Sequence, residues 1–297
     1  MDKKSRTLFI GGSGAYALPA GILGERISSR RIRTPYGFSN PVHGFCKDGF
    51  RYLFMSRHGE RGYEKTAPYV NYRANIYAAK LLGVERIFSW TGPGAVSKKY
   101  RPGDLVIPDG LLDFTRNRPS TFYEDSKVGF IRQHPVFCET QRLALRAAVP
   151  ARRLGFGGTY ACTEGPRLET AAEIRFLAMA GADLVGMTLC PEAFLARELE
   201  ICYSTIAYVT NYAEGVRDLP YSPGELFEGM LPPREAAAVE AAKNALPGIV
   251  IAAMAALETK ARDCPCAVSM ERYRKKGIIG PDFRKWVKVG GRGRSSR

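Results

Sequence analysis

The sequence predicts an α/β fold in a single domain. Between residues 158 and 209, strand-like apolar runs alternate with helix-patterned segments. Polar residues follow the strands, where open α/β sheets place their ligands. The chain has 297 residues and 45% hydrophobic content, which is enough for one full core. No composition break or polar linker divides residues 5–260.

Apolar runs predict the strands in order along the chain. The first run meets a glycine turn, the second alternates in polarity, and the later ones are continuous and end at polar residues. We expect strands at 7–10, 51–56, 86–90, 104–108, 158–162, 183–186 and 201–209. A loop is expected at 113–123.

Helical spacing of apolar residues predicts four helices. The first stops at Gly83, the second is closed by Gly181, and the last is rich in alanine. We expect these helices at 69–82, 169–180, 191–199 and 234–262.

The glycine turn after the first strand, Gly11-Gly12-Ser13-Gly14, lets backbone N–H groups approach an anion closely. It is not a P-loop, because no Gly-Lys-Ser/Thr follows, and it does not match GxGxxG. A glycine turn between a strand and a helix is, by itself, more often structural.

Arg57 and His58 follow the second predicted strand. Arginine offers phosphate a planar, permanently charged fork, and a neighbouring histidine adds a donor whose charge depends on pH. On these residues alone, a surface arginine and a half-buried histidine are favoured. A strand-end position also predicts that Arg57 can be removed without opening a core cavity.

Cysteine usage argues against a disulfide scaffold or a metal site. The seven cysteines are an odd number without a regular framework. No Cys/His group has zinc-ligand spacing, so we expect no metal. We expect no apolar run long enough to span a membrane, and the start does not resemble a signal peptide. The sequence therefore predicts a cytoplasmic protein without a membrane partner.

The net charge is +15, and the last 27 residues contribute +8 of it. A basic tail can bind polyanions, but it is more often a solvated end, so nucleic acid is not an expected partner. A moderately basic core suits a protein that captures phosphate.

Several ordered blocks carry a family resemblance. They are TEGPRLET (163–170), GMTLCPEA (186–193), LARELEICYSTIA (195–207), VTNYAEG (209–215) and, earlier, PGDLVIPD (102–109) and RPSTFY (118–123). The chain resembles the trimeric branch of the purine nucleoside phosphorylase superfamily, specifically the methylthioadenosine/methylthioinosine phosphorylases. The likeness covers roughly residues 5–265.

The resemblance implies a three-layer α/β/α domain with a central mixed, partly barrel-like sheet. That domain would span 5–265, and 266–297 would be a basic extension. We expect that deleting residues 271–297 leaves activity within about threefold and weakens salt-sensitive polyanion binding. The implied assembly is a homotrimer or a dimer of trimers. In some heat-tolerant relatives a Cys-x-Cys pair like Cys264 and Cys266 forms a disulfide; a free pair is favoured here.

The resemblance also assigns site residues, with inorganic phosphate as co-substrate and no cofactor. The implied phosphate-binding residues are Ser13, Arg57, His58, Thr91, Gly92 and Thr188. Met187 would bind the ribose, and Leu168, Glu169, Asn211 and Ala213 would bind the base. Asn211, Arg57 and His58 are the predicted catalytic residues.

The predicted base site favours 6-oxopurines. Adenine-directed relatives have two Asp residues where this chain has Asn211 and Ala213. A carboxamide can donate to O6 and accept from N7–H, whereas an ionised Asp cannot donate. Glu169 can accept from N1–H. Taken singly, Glu169 also suits a helix N-terminus and Asn211 a strand-end turn.

The predicted function is therefore phosphorolysis of 6-oxopurine nucleosides, with 5′-methylthioinosine preferred. No histidine occurs after His134, so none is available in that part of the chain to hydrogen-bond a 5′-hydroxyl. The apolar residues Leu226, Phe227 and Met230 suit a 5′-thioether, although all three also suit a core. The alternatives are a 5′-methylthioadenosine phosphorylase, an ordinary inosine/guanosine phosphorylase and, from another class, a polyanion-binding protein on a decayed enzyme fold.

Overall fold

The computed structural model describes residues 6–15, 18–19, 21–124, 128–150, 154–218 and 223–287. Its strands are β1 (Thr7–Gly11), β2 (Glu25–Arg30), β3 (Arg33–Thr34), β4 (Gly37–Phe38), β5 (Val42–Lys47), β6 (Phe50–Ser56), β7 (Arg86–Thr91), β8 (Gly94–Ala95), β9 (Leu105–Ile107), β10 (Gly110–Phe114), β11 (Leu154–Phe156), β12 (Thr159–Thr163), β13 (Leu184–Gly186), β14 (Cys202–Tyr208) and β15 (Asn211–Tyr212). Its α-helices are α1 (Tyr72–Leu81), α2 (Glu139–Ala148), α3 (Ala171–Met179), α4 (Glu192–Glu198), α5 (Pro233–Ala255) and α6 (Glu271–Lys275).

The larger sheet has eight strands in the order β11-β9-β14-β7-β1-β6-β5-β2. Its central strands, β14-β7-β1-β6, are parallel. Antiparallel pairing joins β9 to β14, β5 to β6 and β2 to β5. Every residue of β1 and β7 is buried, as expected of parallel strands that are covered on both faces.

Helices cover both faces of this sheet. Buried side chains of α1 and α4 share one core cluster with Leu8 and Ile10 of β1. Those of α2 and α5 share a second cluster with Phe9. Successive side chains of a strand point to opposite faces, so the two clusters lie on opposite sides of the sheet. The predicted three-layer α/β/α arrangement with a mixed sheet is confirmed.

The smaller sheet, β10-β12-β13-β8-β15, continues strands of the larger one. In four places, two residues separate the end of a strand of the larger sheet from the next strand of the smaller one. The bends join β7 to β8, β9 to β10, β11 to β12 and β14 to β15. Strands that bend from one sheet into the next give the partly barrel-like form that was predicted.

The predicted strands and helices are all present, with shifted ends. The helix predicted at 169–180 is α3, which begins with a capping box between Thr170 and Glu173. The sequence missed α2 and the antiparallel strands β2 and β5, and the loop predicted at 113–123 begins inside β10. All six residues of β2 are exposed, so its sequence has no buried face that could reveal the strand.

Helix α5 is long and apolar enough to cross a membrane by length and composition, contrary to the sequence prediction. In the structure, Leu246, Val250 and Met254 of this helix are buried in the core cluster that contains Phe9. Since α5 packs against α2 and β14, it is a core helix.

The described part of the predicted C-terminal extension packs on the main core. Met270, Tyr273 and Trp286 are buried in the cluster that contains Leu8. The Tyr273 hydroxyl accepts a 2.8 Å hydrogen bond from the backbone N–H of Phe130. Deleting residues 271–297 would therefore remove core side chains within 271–287, and we expect it to lower stability; its effect on activity stays a prediction. Residues 288–297 lie outside the described residues, and the domain boundary at 265 stays a prediction.

We expect Trp286→Ala to lower the free energy of unfolding by about 3–5 kcal/mol, the usual cost of truncating a buried tryptophan. Trp286 is 4% exposed, and its indole N–H donates to the carbonyl of Gly280 at 2.7 Å. The measurement is chemical denaturation of the full chain. Phe130→Ala is the control, because Phe130 is 85% exposed and should change stability little. Equal effects of the two variants would show that the segment is not docked as described.

Candidate active site

Four adjacent parallel strands end at one edge of the larger sheet. Because β14, β7, β1 and β6 are neighbours and run the same way, the residues that follow them converge there. The glycine turn follows β1, Arg57 follows β6, and Asn211 follows β14 after two residues. Thr91 is the last residue of β7. The topology thus brings most of the predicted site to one edge.

The glycine turn packs directly on the end of β7. A Cβ on Gly12 would lie 2.5 Å from the carbonyl oxygen of Trp90 and 2.9 Å from Nη1 of Arg57. A Cβ on Gly11 would lie 2.4 Å from the Cβ of Ala15. Only glycine therefore allows this approach, which keeps the backbone of the turn beside the Arg57 guanidinium.

Arg57 is wholly buried and forms a two-pronged ion pair with Glu192, the first residue of α4. Its Nε and Nη2 each donate to a Glu192 oxygen at 2.8 Å. Nη2 also donates to Ser89 at 3.0 Å, and Nη1 to the Trp90 carbonyl at 3.3 Å. Burial opposes the charge, but the Glu192 carboxylate outweighs it and raises the pKa of Arg57.

The expectation that Arg57 can be lost without opening a cavity is wrong, because its side chain is 0% exposed and Glu192 would remain buried without its cation. Its Nη1, beside Gly12, is the part of the guanidinium nearest the turn. Arg57 thus holds strand ends together, and one nitrogen faces the backbone predicted to bind phosphate.

His58 is neutral in the structure at neutral pH. Burial, and then the charge of Arg57, lower the pKa of His58 to about 4. Its Nδ1 lies 3.0 Å from the carbonyl oxygen of Lys65, which can only accept, so Nδ1 carries the proton. Buried Nε2 has no hydrogen-bond partner among the described residues. It is free to accept from the hydroxyl of a hydrogen phosphate, or to take up a proton when an anion binds.

Ser13 and His58 are linked through Tyr63. The hydroxyls of Ser13 and Tyr63 are hydrogen-bonded, and the rings of Tyr63 and His58 lie 4.6 Å apart. The Tyr208 hydroxyl donates to the Ser13 carbonyl at 3.0 Å. The sequence analysis gave Tyr63 no role, and the structure places its hydroxyl against Ser13.

Thr91 and Thr188 meet across the two sheets. Their hydroxyls lie 3.0 Å apart, and the Tyr160 hydroxyl is 3.3 Å from that of Thr91. Thr91 ends β7 of the larger sheet, and Thr188 follows β13 of the smaller one. A Cβ on Gly186 would lie 2.0 Å from the Tyr160 hydroxyl, so this glycine makes room for the tyrosine. The sequence predicted both threonines and missed Tyr160.

Gly92 lies at the bend between β7 and β8. A Cβ there would lie 2.8 Å from Thr210 Cγ2 and 3.0 Å from the Tyr208 hydroxyl. The bends that follow β7 and β14 therefore touch. This contact brings the predicted phosphate residues close to the start of the predicted base loop.

The predicted base residues are held within neighbouring loops. The Asn211 carbonyl accepts from the Thr210 hydroxyl at 2.6 Å, and its amide donates to the Tyr212 carbonyl at 2.7 Å. Glu169 accepts from the Thr163 hydroxyl at 2.5 Å. The two loops adjoin, since a Cβ on Gly215 would lie 3.0 Å from that of Ala171.

The remaining predicted residues differ in exposure. Leu168 is 44% exposed, whereas Ala213 is buried with Val96 and Ile174. Met187 is half-buried, and Gly165 packs against it, because a Cβ there would lie 2.4 Å from the Met187 sulfur. Leu168 and Met187 therefore retain surface that a nucleoside can cover.

Arg118 organises the loops of the smaller sheet, and sequence reasoning gave it no role beyond its place in RPSTFY. It donates to the carbonyls of Met187 at 2.6 Å, Cys190 at 2.8 Å and Thr163 at 3.1 Å. It also forms a 3.2 Å ion pair with Glu164. One buried guanidinium thus connects the loops after β12 and β13, which carry Glu169, Met187 and Thr188.

The fold and site define an α/β enzyme that places an arginine, a neutral histidine and paired threonines at the joint of two sheets. Residues 42–245 match the model of a family described as the phosphorylase superfamily. The chain belongs to this superfamily and is a phosphorylase of its purine nucleoside branch.

Two curated relatives illustrate the likeness. The chain is 44% identical to the 6-oxopurine nucleoside phosphorylase of Pyrococcus furiosus, over 76% of this chain and 86% of the relative. It is 42% identical to a probable S-methyl-5′-thioinosine phosphorylase of Methanothermobacter thermautotrophicus, over 86% of each protein.

Solved structures of methylthioadenosine phosphorylases share the fold. One from an Antarctic soil metagenomic library is 31% identical, with a TM-score of 0.76, over 90% of this chain and 91% of that one. The Schistosoma mansoni enzyme in complex with tubercidin has a TM-score of 0.76 at 24% identity, over 93% and 97%. At 24% identity, the similarity to the Schistosoma mansoni enzyme shows a shared fold and nothing about function.

We expect Arg57→Ala to lower the free energy of unfolding by about 3–5 kcal/mol, because Glu192 is left buried and unpaired. The paired variant Arg57→Met with Glu192→Met removes both charges and should recover most of that loss. Both variants should need much more phosphate for half-maximal rate. The measurements are denaturation curves and phosphate saturation at a temperature where each protein is folded. Normal phosphate saturation of the paired variant would leave Arg57 with a structural role only.

Proposed function

We propose that this protein cleaves 6-oxopurine nucleosides with inorganic phosphate and prefers 5′-methylthioinosine. The products are hypoxanthine and 5-methylthioribose 1-phosphate. The C1′–N9 bond breaks and C1′ bonds to an oxygen of hydrogen phosphate. The proton that the phosphate gives up balances the one that the purine takes up at N7. Phosphate supplies the nucleophile, so the reaction needs no cofactor. The protein's task is to position the reactants and stabilise charge.

The phosphate end of the proposed site combines one fixed charge with short donors. Arg57 Nη1, the glycine-turn backbone, Ser13 and the paired hydroxyls of Thr91 and Thr188 suit an oxyanion. Neutral His58 accepts the proton of a hydrogen phosphate at Nε2 in this proposal. These groups would hold phosphate beneath the ribose, against which Met187 would lie.

The observation that carries the base assignment is the carboxamide of Asn211, the first residue of β15, directly after the bend from β14. Its NH₂ would donate to O6 and its carbonyl would accept from N7–H, while Glu169 would accept from N1–H. Adenine presents the opposite pattern at the 6-position and N1, so it would leave polar groups unpaired. The two curated relatives described above, a 6-oxopurine nucleoside phosphorylase and a probable S-methyl-5′-thioinosine phosphorylase, support the same choice.

A 5′-methylthioadenosine phosphorylase is the second candidate. The solved structure that is 31% identical to this chain carries that function, which favours this candidate at the level of overall likeness. The two candidates agree on phosphate and on the 5′-methylthio group, and they differ only at the base. Asn211 favours the 6-oxopurine.

The proposal includes a homotrimer, or a dimer of trimers, in the cytoplasm. Phe176 is 54% exposed and Met179 82% exposed on α3, the helix that follows Glu169. A second copy of the chain would cover this apolar surface. The location is the one predicted from the sequence, whose start does not resemble a signal peptide.

We expect Asn211→Asp to shift the ratio of specificity constants from inosine-type toward adenosine-type substrates by roughly 30-fold, equivalent to about 2 kcal/mol. An ionised Asp cannot donate to O6, and it can accept from a 6-amino group. Asn244→Asp is the matched control, since Asn244 bonds Glu240 on the surface of α5 and should leave the ratio unchanged. An unchanged ratio for Asn211→Asp would remove this residue from the base site.

We expect 5′-methylthioinosine to exceed inosine in specificity constant by about 5-fold to 150-fold, the equivalent of 1–3 kcal/mol for an apolar group in an apolar pocket. Leu226 is 59% exposed, and the 3₁₀ turn at Phe227–Met230 lies against β15, beside the proposed base site. The experiment is a panel of adenosine, inosine, guanosine and their 5′-methylthio forms at saturating phosphate. A ratio at or below one would assign the protein to the ordinary inosine/guanosine phosphorylases, and release of adenine alone would contradict the proposed function.

A further inference from the structure

Four of the seven cysteines converge in one buried cluster, which we call the thiol cluster. It consists of Cys138, Cys202, Cys264 and Cys266, whose Sγ atoms all lie within 4.8 Å of one another. All four side chains are buried, and Cys264, at 9% exposed, is the least so. The Sγ atoms of Cys202 and Cys264 are 3.2 Å apart. The prediction that the chain binds no metal was based on sequence spacing. Because these four thiols lie close together in the structure, sequence spacing no longer supports that prediction.

The spacing of the cysteines in the sequence did not reveal the thiol cluster, because its members come from three separate elements of the fold. Cys138 is the N-cap of α2, Cys202 begins β14, and the other two lie around the 3₁₀ turn after α5. Cys202 and Cys264 are 62 residues apart in sequence. Backbone pairing brings the first two together, since the N–H of Cys138 donates to the carbonyl of Tyr203 at 2.8 Å. Only the fold assembles the group.

Four thiols at these distances match the donor set of a structural zinc site. Zinc takes four thiolates at about 2.3 Å in a tetrahedron, which places the sulfurs about 3.8 Å from each other. The 4.8 Å limit is within reach of that geometry by small side-chain rotations. Binding Zn²⁺ releases four protons and leaves a net charge of −2 on the metal and its ligands.

The surroundings provide a counter-charge for such a complex. Nη1 of Arg197 donates to the Cys266 sulfur at 3.7 Å, and Nη2 is hydrogen-bonded to the carbonyl of Pro135. Arg197 is 4% exposed, and the described residues show no carboxylate within salt-bridge distance of its guanidinium. A buried guanidinium on a metal thiolate is the outer-sphere donor that such sites commonly have. A thiolate accepts that hydrogen bond far better than a disulfide sulfur does.

We propose that Cys138, Cys202, Cys264 and Cys266 bind one Zn²⁺ ion in a tetrahedral structural site. The site lies at the amino end of β14, whereas the active-site loops follow its carboxyl end. Seven residues of strand separate the two by about 20 Å. The ion would connect the start of segment 264–287, which packs on the core, to α2 and β14. It would therefore stabilise the folded protein and take no part in the reaction.

The test is metal analysis of the full chain, purified with a reductant and without added metal. We expect about one zinc per chain, and less than about a tenth of that in Cys138→Ser and Cys266→Ser. Cys46→Ser is the matched control, because Cys46 lies in β5 outside the thiol cluster and should keep its zinc. Zinc removal should lower the thermal midpoint while leaving the turnover of the folded protein at low temperature unchanged.

A second measurement covers the case in which a serine variant does not fold. Wild-type protein stripped of zinc and given Co²⁺ should show the absorption of tetrahedral cobalt thiolate, with an end point at one Co²⁺ per chain. Two results would overturn the proposal: four free thiols that bind neither zinc nor cobalt, or an intact mass lower by four hydrogens, which indicates two disulfides. Equal zinc in Cys46→Ser and Cys266→Ser variants would also overturn it.

Discussion

The edge of the larger sheet that carries the candidate active site depends on one buried ion pair, between Arg57 and Glu192. The guanidinium leaves the end of β6, bonds Ser89 and Trp90 of β7, and meets a carboxylate from α4. The Tyr203 hydroxyl of β14 donates to the same carboxylate at 2.6 Å. Three strands and a helix of one outer layer are thus tied to a single charge pair. Such a pair costs desolvation energy, so its value lies in fixing geometry as much as in stability.

Close backbone approach is the second constraint on this edge. The guanidinium lies close to Gly12, where a Cβ would come within 2.9 Å of Nη1 and 2.5 Å of the Trp90 carbonyl oxygen. The same holds at the bend after β7, where Gly92 touches Thr210, and in the smaller sheet, where Gly186 admits Tyr160. A methyl group at any of these positions would push apart strand ends that must meet for the site to form.

Much of the fold was predictable because its central strands are buried and its helices are periodic. The exposed β2 and the short β8 and β15 carry no such pattern, so only the finished sheets define them. At the candidate site, the sequence predicted groups that follow strands, such as Arg57, Thr91 and Thr188, and the structure places them at neighbouring strand ends. It could not identify Glu192, Tyr160 or the clamp formed by Arg118, because their roles arise from contacts between residues far apart in sequence.

The two ends of β14 carry different groups. Its first residue, Cys202, joins the thiol cluster, and the cluster holds the start of a C-terminal segment that closes one outer layer over α1. In that segment, Phe283 contacts Tyr77 of α1 at 5.5 Å between ring centroids. The other end of the strand leads into Thr210 and Asn211. When a strand is rigid and anchored at its amino end, only the loop at its carboxyl end has to be ordered on ligand binding. The conformational entropy lost on binding is then small. The C-terminal segment also contacts α4, the helix that carries Glu192, because the Ser269 hydroxyl donates to the carbonyl of Arg197 at 2.7 Å.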